Sequence, residues 1–334
     1  MGVTMRELGK RLGVSAVTIS KALAGKSGVS EEMRQKIIQL ADELGYVNPN
    51  HPTRPGSGLD VGILVPEHFL SNDTFYAMFY KQLLQLLSEN GHFGMLELIT
   101  EEMQRTLLLP NLLRSRRVDA LILLGQPKAA YTRLLAEQSQ LAGQTLPIVA
   151  LDFHDPSIPV DAIVGDSVYG AAMMTRCLIE NGHRDIGFLG NVKATSSIME
   201  RYLGFASEML RNDLTIRPEC ILADRTDDNV THPAVLPEKM PTAFVCNCDL
   251  VARPFIDQLQ KAGYRVPEDI SIVSYDDFNN VPGSLPLTTF RVDTPAMCRI
   301  AVQLVESRCK GVAKPVSRIV VGGEAVYRDS VSPV

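Results

Sequence analysis

Apolar positions near the start of the chain recur with the spacing of short amphipathic helices. Spacings of three and four predict a first helix over about residues 5–12. A second helix is predicted over about residues 16–24, and a third between Ser30 and Gly45. The hydroxyls that would cap the three helix starts are those of Thr4, Ser15 and Ser30. Two short helices joined by a turn, with a third behind them, are the plan of a helix-turn-helix.

From Val61 onward the pattern changes to short apolar runs that alternate with amphipathic helical segments. The runs with strand length and β-branched content are 61–66, 120–125, 147–152, 161–166, 185–190, 243–247 and 270–277. Strands that alternate with helices predict parallel sheets covered on both faces. The chain is therefore predicted to be α/β, with two doubly wound parallel-sheet subdomains preceded by a small all-α helix-turn-helix domain.

The charge divides along the same line. The first 57 residues carry eight Lys and Arg against five Asp and Glu, a net charge of +3, and the remainder carries 25 against 33, a net charge of −8. A small basic head on a larger acidic body suggests that the head alone meets a polyanion.

The chain lacks the sequence signals of several other protein classes. The N-terminus has no apolar segment of a secretory signal, and no apolar run approaches the roughly 18 residues of a membrane helix. We therefore expect a cytoplasmic protein with no membrane partner. No P-loop or GxGxxG motif follows a strand, and Cys246 and Cys248 have no second pair at zinc spacing. We expect reduced thiols, no metal and no cofactor.

In a helix-turn-helix the second helix enters the major groove with its first residues against the base edges. Ala16 and Val17 can contact thymine methyl groups or fit by shape, and Lys21 can reach guanine O6 and N7. The candidate contacts to the DNA backbone are Ser15, Thr18 and Ser20, with Thr4 at the first helix. The alternative from the pattern alone is a three-helix bundle that contacts only proteins.

Four motifs give the head a specific resemblance. GVS at 13–15, T-x-S-K at 18–21, VSEEMR at 29–34 and ELGY at 43–46 all occur within residues 4–46. In these features the segment resembles the DNA-binding head of the lac repressor–galactose repressor (LacI/GalR) family. The resemblance implies sequence-specific binding of double-stranded operator DNA.

Carboxylates stand at the ends of several predicted strands of the body. They are Asp152, Asp166, Asp276 with Asp277, and Asp249 just past a strand. Ligands of open α/β sheets bind outside the carboxyl ends of the strands. Because a carboxylate accepts two or more hydrogen bonds, these residues suit a polyhydroxylated ligand. The alternative is that each carboxylate caps the helix that follows it.

Residues 61–330 resemble the sensor of the same family. The matching stretches include SRRVDALILLG at 115–125, ENGHRDIGFLG at 180–190 and VPEDISIVSYDD at 266–277. The resemblance implies a type I periplasmic-binding-protein fold, whose two subdomains close on a small-molecule effector. It also implies three chain crossovers, near 162–166, 289–293 and 321–325.

The resemblance carries over individual residues of the effector site. Asp152, Arg201, Asp249 and Asp276 match family positions that bind ligand oxygens or hydroxyls. Phe75 and Tyr76 stand where the family often has paired aromatics that line the pocket, with helix packing as their alternative role. Three departures weaken the expectation of a ring-stacking hexose site. Cys248 replaces an asparagine, Asn229 lies where many sugar-binding members have an aromatic residue, and the chain has no Trp.

The expected domains are a DNA-binding head at 1–46, a linker at 47–60 and an effector-binding and dimerisation domain at 61–334. The two expected subdomains are about 61–163 plus 292–322, and about 164–290 plus 323–334. The family forms a hinge helix in the linker on DNA, but Pro55 and Gly56 oppose a helix here. We expect weaker DNA bending, with Arg54 either contacting the DNA or solvated.

These features together predict a ligand-responsive, sequence-specific transcriptional regulator that acts as a homodimer and is not an enzyme. A repressor of carbohydrate uptake or catabolism genes is the first interpretation, and a response to a non-sugar metabolite such as a nucleobase is the second. An enzyme with an appended head would need a nucleophile and base at the strand ends, and no recognisable hydrolase motif is present. A solute-binding protein would need an export signal and no head.

Overall fold

The structure is a computed structural model of the chain. It describes residues 4–23, 28–43, 58–71, 74–115, 118–140, 146–278, 283–312 and 315–334. Backbone proximity divides the chain into two compact units, Met1–Gly58 and Leu59–Val334. The linker positions Arg54, Pro55 and Gly56 lie outside the described residues, so the expectations for the hinge remain predictions.

The first unit contains the three predicted helices, Met5–Leu12 (α1), Ala16–Leu23 (α2) and Glu31–Glu43 (α3). The capping residues act as expected. The Thr4 hydroxyl accepts a hydrogen bond from the Glu7 N–H at 3.3 Å, and the Ser15 hydroxyl accepts one from the Thr18 N–H at 3.1 Å. Gly13 ends α1 with a φ of 68°, a conformation that glycine adopts without steric cost.

A small core holds the three helices together. Its fully buried side chains are Leu8, Ile19, Ala22 and Ile37. A Cβ atom on Gly9 would lie only 2.5 Å from the Val14 carbonyl oxygen, so α1 and the following turn pack too closely for a larger residue. Because Ile19 and Ala22 face this core, the opposite side of α2 faces outward.

The second unit is built on two six-stranded sheets. Its strands are Asp60–Pro66 (β1), Phe93–Ile99 (β2), Ala120–Leu124 (β3), Ile148–Leu151 (β4), Asp161–Gly165 (β5), Ile186–Leu189 (β6), Ile221–Leu222 (β7), Ala243–Cys246 (β8), Ser271–Asp276 (β9), Thr288–Val292 (β10), Arg318–Val321 (β11) and Gly323–Val326 (β12). The first sheet has the order β11-β5-β4-β3-β1-β2 and the second β12-β10-β9-β8-β6-β7. All neighbours pair in parallel except β10 and β12.

Helices cover these sheets. They are Glu67–Ser71 (α4), Thr74–Glu89 (α5), Glu101–Thr106 (α6), Asn111–Ser115 (α7), Ala129–Ser139 (α8), Ser167–Glu180 (α9), Ser196–Arg211 (α10), Asp249–Lys261 (α11) and Thr294–Cys309 (α12). Every residue of the short strands β3, β4, β5, β6 and β8 is buried, as their apolar runs predicted. The predicted fold class is confirmed.

The chain passes between the two sheets three times. It leaves the first sheet after β5 for α9, which packs on β9 and β10 of the second. It returns after β10 through α12, which packs on β4 and β5 of the first sheet. It crosses a third time between β11 and β12. We call the first sheet with its helices the first lobe, and the second sheet with its helices the second lobe.

None of the helices in the described part of the chain has the combination of length and apolar character that crossing a membrane requires.

Candidate functional site

The carboxyl ends of the strands from both lobes supply the candidate site. Asp152 directly follows β4 of the first lobe, and Asp276 is the last residue of β9 in the second lobe. Both have positive φ, 68° for Asp152 and 103° for Asp276. Aspartate tolerates this backbone region better than most residues, although it still stores strain. Strain of this kind concentrates at sites where a side chain must be aimed at a ligand.

On the first lobe, Tyr76 and Asp152 form a hydrogen-bonded pair. The Tyr76 hydroxyl donates to Asp152 Oδ2 at 2.8 Å. The ring of Phe69 lies 4.3 Å from that of Tyr76 and supports it. The adjacent Phe75 is buried instead, with its ring edge-on to Phe278 at 5.7 Å. Of the two predicted aromatics, Tyr76 therefore offers a polar contact and Phe75 packs in the core.

On the second lobe, Arg201 and Asp276 form a buried ion pair. Arg201 Nη2 lies 3.1 Å from Asp276 Oδ1, and Nη1 donates to the Asn247 carbonyl oxygen at 2.6 Å. The guanidinium also lies 3.9 Å above the Tyr275 ring. Burial alone would lower the pKa of Arg201, but Asp276, Tyr275 and Asp152 raise it above its ordinary value. Four predicted residues, Tyr76, Asp152, Arg201 and Asp276, thus act on one another within one site.

Beside this ion pair lies a second one that sequence reasoning did not single out. Arg225 Nε donates to Asp224 Oδ2 at 2.7 Å, and both side chains are buried. Asn247 connects the two pairs, because its carbonyl oxygen contacts Arg201 while its Nδ2 donates to Asp224 at 3.0 Å. In the sequence this ion pair is visible only as the dipeptide Asp224-Arg225 after β7. The dipeptide does not reveal that the pair is connected through Asn247 to Arg201.

Cys248 lies near Arg225, and both arginines act on it electrostatically. Its sulfur is 4.0 Å from Arg225 Nη2. Burial raises the pKa of the Cys248 thiol to about 12, although Arg225 and Arg201 act to lower it. The residue is therefore a neutral thiol at neutral pH. A thiol is a weaker hydrogen-bonding group than the asparagine that the family motif places here.

Asp249 is tied into the protein through both carboxylate oxygens. Oδ1 accepts a hydrogen bond from the Thr289 hydroxyl at 2.8 Å, and Oδ2 accepts one from the Phe278 N–H at 3.0 Å. These bonds join the start of α11 to β10 and to the segment after β9. These contacts of Asp249 therefore hold the walls of the site, and its contact with an effector stays a prediction.

The titration of Asp249 gives a testable consequence. Burial, together with Asp276, raises the pKa of Asp249 to about 7. Since the folded-state pKa exceeds that of the unfolded chain, the stability from this group is complete at low pH and is lost as pH rises through about 7. Asp249→Asn keeps an acceptor for the Phe278 N–H and presents an amide donor to the Thr289 hydroxyl, which can accept as well as donate. We subtract the Tm of the native chain from the Tm of Asp249→Asn at each pH. We expect this difference to increase from pH 5 to pH 8, because only the native chain loses stability as Asp249 ionises.

Calorimetry at matched ionic strength measures this difference, and Asp213→Asn, at an exposed position, serves as the control. Parallel Tm curves for the native chain and Asp249→Asn would show that Asp249 does not titrate with folding.

Polar contacts among the described residues cross from one lobe to the other. One is the ion pair at 2.5 Å between Arg318 on β11 and Glu200 on α10. The side-chain oxygen of Gln126, after β3, accepts hydrogen bonds from the N–H and the hydroxyl of Ser196, both at 3.0 Å, at the start of α10. Asn229 Nδ2 lies 3.3 Å from His68 Nε2 on α4. A cavity of about 1010 Å³ opens beside this last contact, and its lining includes His68, Arg225 and Asn229. None of the six predicted effector residues is part of the described lining of this cavity.

The outward side of α2 presents the predicted DNA-contacting residues. Val17 is 65% exposed although it is apolar, and Ser20 and Lys21 are exposed. Ala16 is half-buried. The Ser15 and Thr18 hydroxyls lie 2.8 Å apart and bond to each other, so one of them still has a proton to donate outward. Thr4 is exposed at the start of α1.

Two family models match the chain. Residues 4–50 match the model of bacterial regulatory proteins of the lacI family, and residues 175–331 match a periplasmic-binding-protein-like domain. The repressor PurR of Aliivibrio fischeri is 27% identical over 341 residues, with 98% of each chain covered. The ribose operon repressor of Haemophilus influenzae is 26% identical over 340 residues, again with 98% of each chain covered.

Solved structures share the fold along the whole chain. The transcriptional regulator CelR in complex with cellobiose has a TM-score of 0.68 at 22% identity, covering 98% of this chain and 99% of that one. The lac repressor dimer bound to operator and the anti-inducer ONPF has a TM-score of 0.65 at 21% identity, covering 99% of this chain and 100% of that one.

The architecture defines a class of protein in which a helix-turn-helix head precedes a two-lobed, periplasmic-binding-protein-like body. With both parts present in this order, the chain belongs to the lacI family of bacterial regulatory proteins. It is a DNA-binding transcriptional regulator, as the sequence motifs of the head predicted.

Proposed function

We propose that this regulator is a cytoplasmic repressor whose operator binding is controlled by a small molecule held between its two lobes. The observation that carries the proposal is the pairing of Tyr76 with Asp152 on one lobe and of Arg201 with Asp276 on the other. A ligand that bonds to both pairs favours the closed arrangement of the lobes. A ligand shifts an equilibrium only as far as it prefers one state, typically by about 1–3 kcal/mol.

In the head, α2 supplies the sequence-reading surface. We expect Ala16 and Val17 to contact thymine methyl groups, and Lys21 to donate to guanine. Ser15, Thr18, Ser20 and Thr4 are the candidates to donate to phosphate oxygens, with Ser15 and Thr18 bonded to each other. Arg54, in the linker, is a further candidate for a backbone or minor-groove contact.

A homodimer places two such heads on one operator. Two heads read half-sites that lie one helical turn apart, about 34–36 Å, or a multiple of that distance. A change in how the lobes close alters the spacing of the heads, and thereby the fit to the two half-sites. The relative described as the lac repressor dimer bound to operator is consistent with this assembly.

The proposed effector is a polyhydroxylated molecule of the sugar class. Asp152 and Asp276 accept hydrogen bonds from hydroxyl groups, and buried Arg201 donates to ring or hydroxyl oxygens. The relatives named ribose operon repressor and CelR–cellobiose complex support a sugar. A nucleobase is the second candidate, because the rings of Phe69 and Tyr76 at 4.3 Å form an aromatic surface on which a planar ligand can stack.

A thermal-shift panel of sugars and nucleobases tests the effector class. A ligand present at 100 times its Kd stabilises the folded state by about 2.7 kcal/mol, which raises Tm by several degrees. We expect at least one neutral sugar to do so and nucleobases not to. A shift with nucleobases alone favours the second candidate, and stabilisation by neither class contradicts the proposed effector site.

A salt titration tests the DNA-binding half of the proposal. Phosphate contacts release counterions, so the affinity for the operator is expected to fall by about 10³ or more between about 50 and 200 mM salt. Fluorescence anisotropy with labelled duplex measures this dependence. Tight binding that is insensitive to salt would contradict a head that binds through contacts to DNA phosphates.

A further inference from the structure

The contact between His68 and Asn229 joins the two lobes in the lining of the cavity. His68 lies on α4 of the first lobe, and Asn229 lies in the segment after β7 of the second lobe. Asn229 has a φ of 66°, so its backbone holds the amide in an uncommon orientation. The distance between Asn229 Nδ2 and His68 Nε2 is 3.3 Å.

Hydrogen-bond chemistry fixes the roles of the two groups. Arg225 Nη1 lies 2.8 Å from Asn229 Oδ1, and a guanidinium can only donate. The amide oxygen of Asn229 must therefore face Arg225, and its NH₂ group must face His68. Because an amide NH₂ group can only donate, His68 Nε2 must accept. The contact therefore requires a neutral His68 ring that carries its proton on Nδ1.

The surroundings of His68 favour this neutral form. Burial lowers the pKa of His68 from its ordinary value. Among the residues that the structure describes, four charged groups on different elements act on the ring. They are Glu67 on α4, Glu101 on α6, Lys128 before α8 and Arg225 after β7, of which the two glutamates raise the pKa of His68 and the two cations lower it.

We propose that His68 is a positioning residue of the effector cleft, whose neutral ring latches the two lobes through Asn229 and whose protonation releases them. A protonated ring presents an N–H to the NH₂ group of Asn229, so two donors face each other without an acceptor. Release of Asn229 also frees the amide oxygen that holds the Arg225 guanidinium. The inference rests on the proposed function in one respect, namely that closure of the lobes changes operator binding by the head.

The latch makes lobe closure depend on pH in a defined direction. The closed arrangement of the lobes requires an unprotonated His68. The fraction of molecules with closed lobes is therefore high above the pKa of His68 and falls as pH decreases through that pKa. The equilibrium constant for closure changes by at most about tenfold per pH unit for a single proton.

Distance measurements on the full chain, without effector or DNA, test the latch. Spin labels on a genetically encoded keto amino acid at Glu102 and Lys193 avoid the native cysteines, and both positions are exposed, one on each lobe. Double electron–electron resonance at pH 8 and pH 5.5 gives the closed fraction. We expect the native chain to shift toward the longer distance at pH 5.5.

Two variants make the test specific. His68→Gln places an acceptor opposite Asn229 that does not titrate, so its closed fraction should be equal at both pH values. Asn229→Asp gives protonated His68 an acceptor, so its closed fraction should rise at pH 5.5, the reverse of the native response. Circular dichroism establishes that each variant is folded.

Equal closed fractions of the native chain at both pH values would overturn the latch, as would a pH response of His68→Gln that matches the native one. Loss of effector binding leaves these distances unaffected, so the failure of the proposed function is measured separately by the thermal-shift panel.

Discussion

The double variant Arg201→Met/Asp276→Asn is expected to abolish the response to effector while operator binding survives. It removes the guanidinium donor and one charged acceptor from the site, and it leaves neither member of the ion pair as an unpaired buried charge. The effector-dependent change in operator affinity, typically about 5–150-fold for such a coupling, should fall to none. Anisotropy titrations of labelled operator, with and without a sugar that stabilises the native chain, measure both quantities.

The single variant separates stability from binding. Arg201→Met alone strands Asp276, which is 8% exposed, as a buried unpaired carboxylate. Breaking a buried pair in this way costs about 3–5 kcal/mol. The double variant should recover most of that stability without recovering the response. Arg176→Met/Glu208→Gln removes another ion pair, between α9 and α10, and should retain the response. A retained response in the Arg201→Met/Asp276→Asn protein would show that the effector binds elsewhere.

Val17→Glu is expected to abolish specific operator binding without unfolding the head. Val17 is 65% exposed, so the substitution costs little packing. On DNA, however, it places a carboxylate among the bases and phosphates that α2 contacts. We expect a loss of affinity of at least 100-fold, about 3 kcal/mol, which is the upper end of the usual cost of about 1–3 kcal/mol for one lost base contact.

The control for Val17→Glu is Gln35→Glu, which adds the same charge at an exposed position on α3. Gln35→Glu should weaken binding only through the small change in net charge. An equal loss in the two variants would mean that the net charge of the head governs binding, and that α2 has no special role.

Local sequence patterns predicted the elements because each depends on nearby residues. The hydroxyls of Thr4 and Ser15 cap their helices as expected, since a cap needs only the next turn of the chain. Seven of the twelve strands in the described residues were predicted from short apolar runs, namely β1, β3, β4, β5, β6, β8 and β9, whereas β2, β7, β10, β11 and β12 were not. Asp152 and Asp276 were predicted from their positions at the strand ends. These signals are local, and so a single sequence contains them.

The arrangement across the site depends on residues far apart in the chain, and no local pattern encodes it. His68 and Asn229 are separated by 161 positions, and His68 did not stand out in the sequence. The two Arg–Asp pairs meet only because β7, β8 and β9 lie near one another in the second sheet. Similarly, Phe75 and Tyr76 are adjacent in α5, and only packing decides that one is buried and the other bonds to Asp152.

The most direct test of whether the cleft controls the head has two steps. A preferred duplex is first selected from a random pool, and its affinity for the protein is then measured with and without a stabilising sugar. The account predicts a preference for the selected duplex over a scrambled one of about 10³ or more, and a change in that affinity when the sugar is added. Equal affinity for the two duplexes, or an operator affinity that no stabilising metabolite alters, would contradict it.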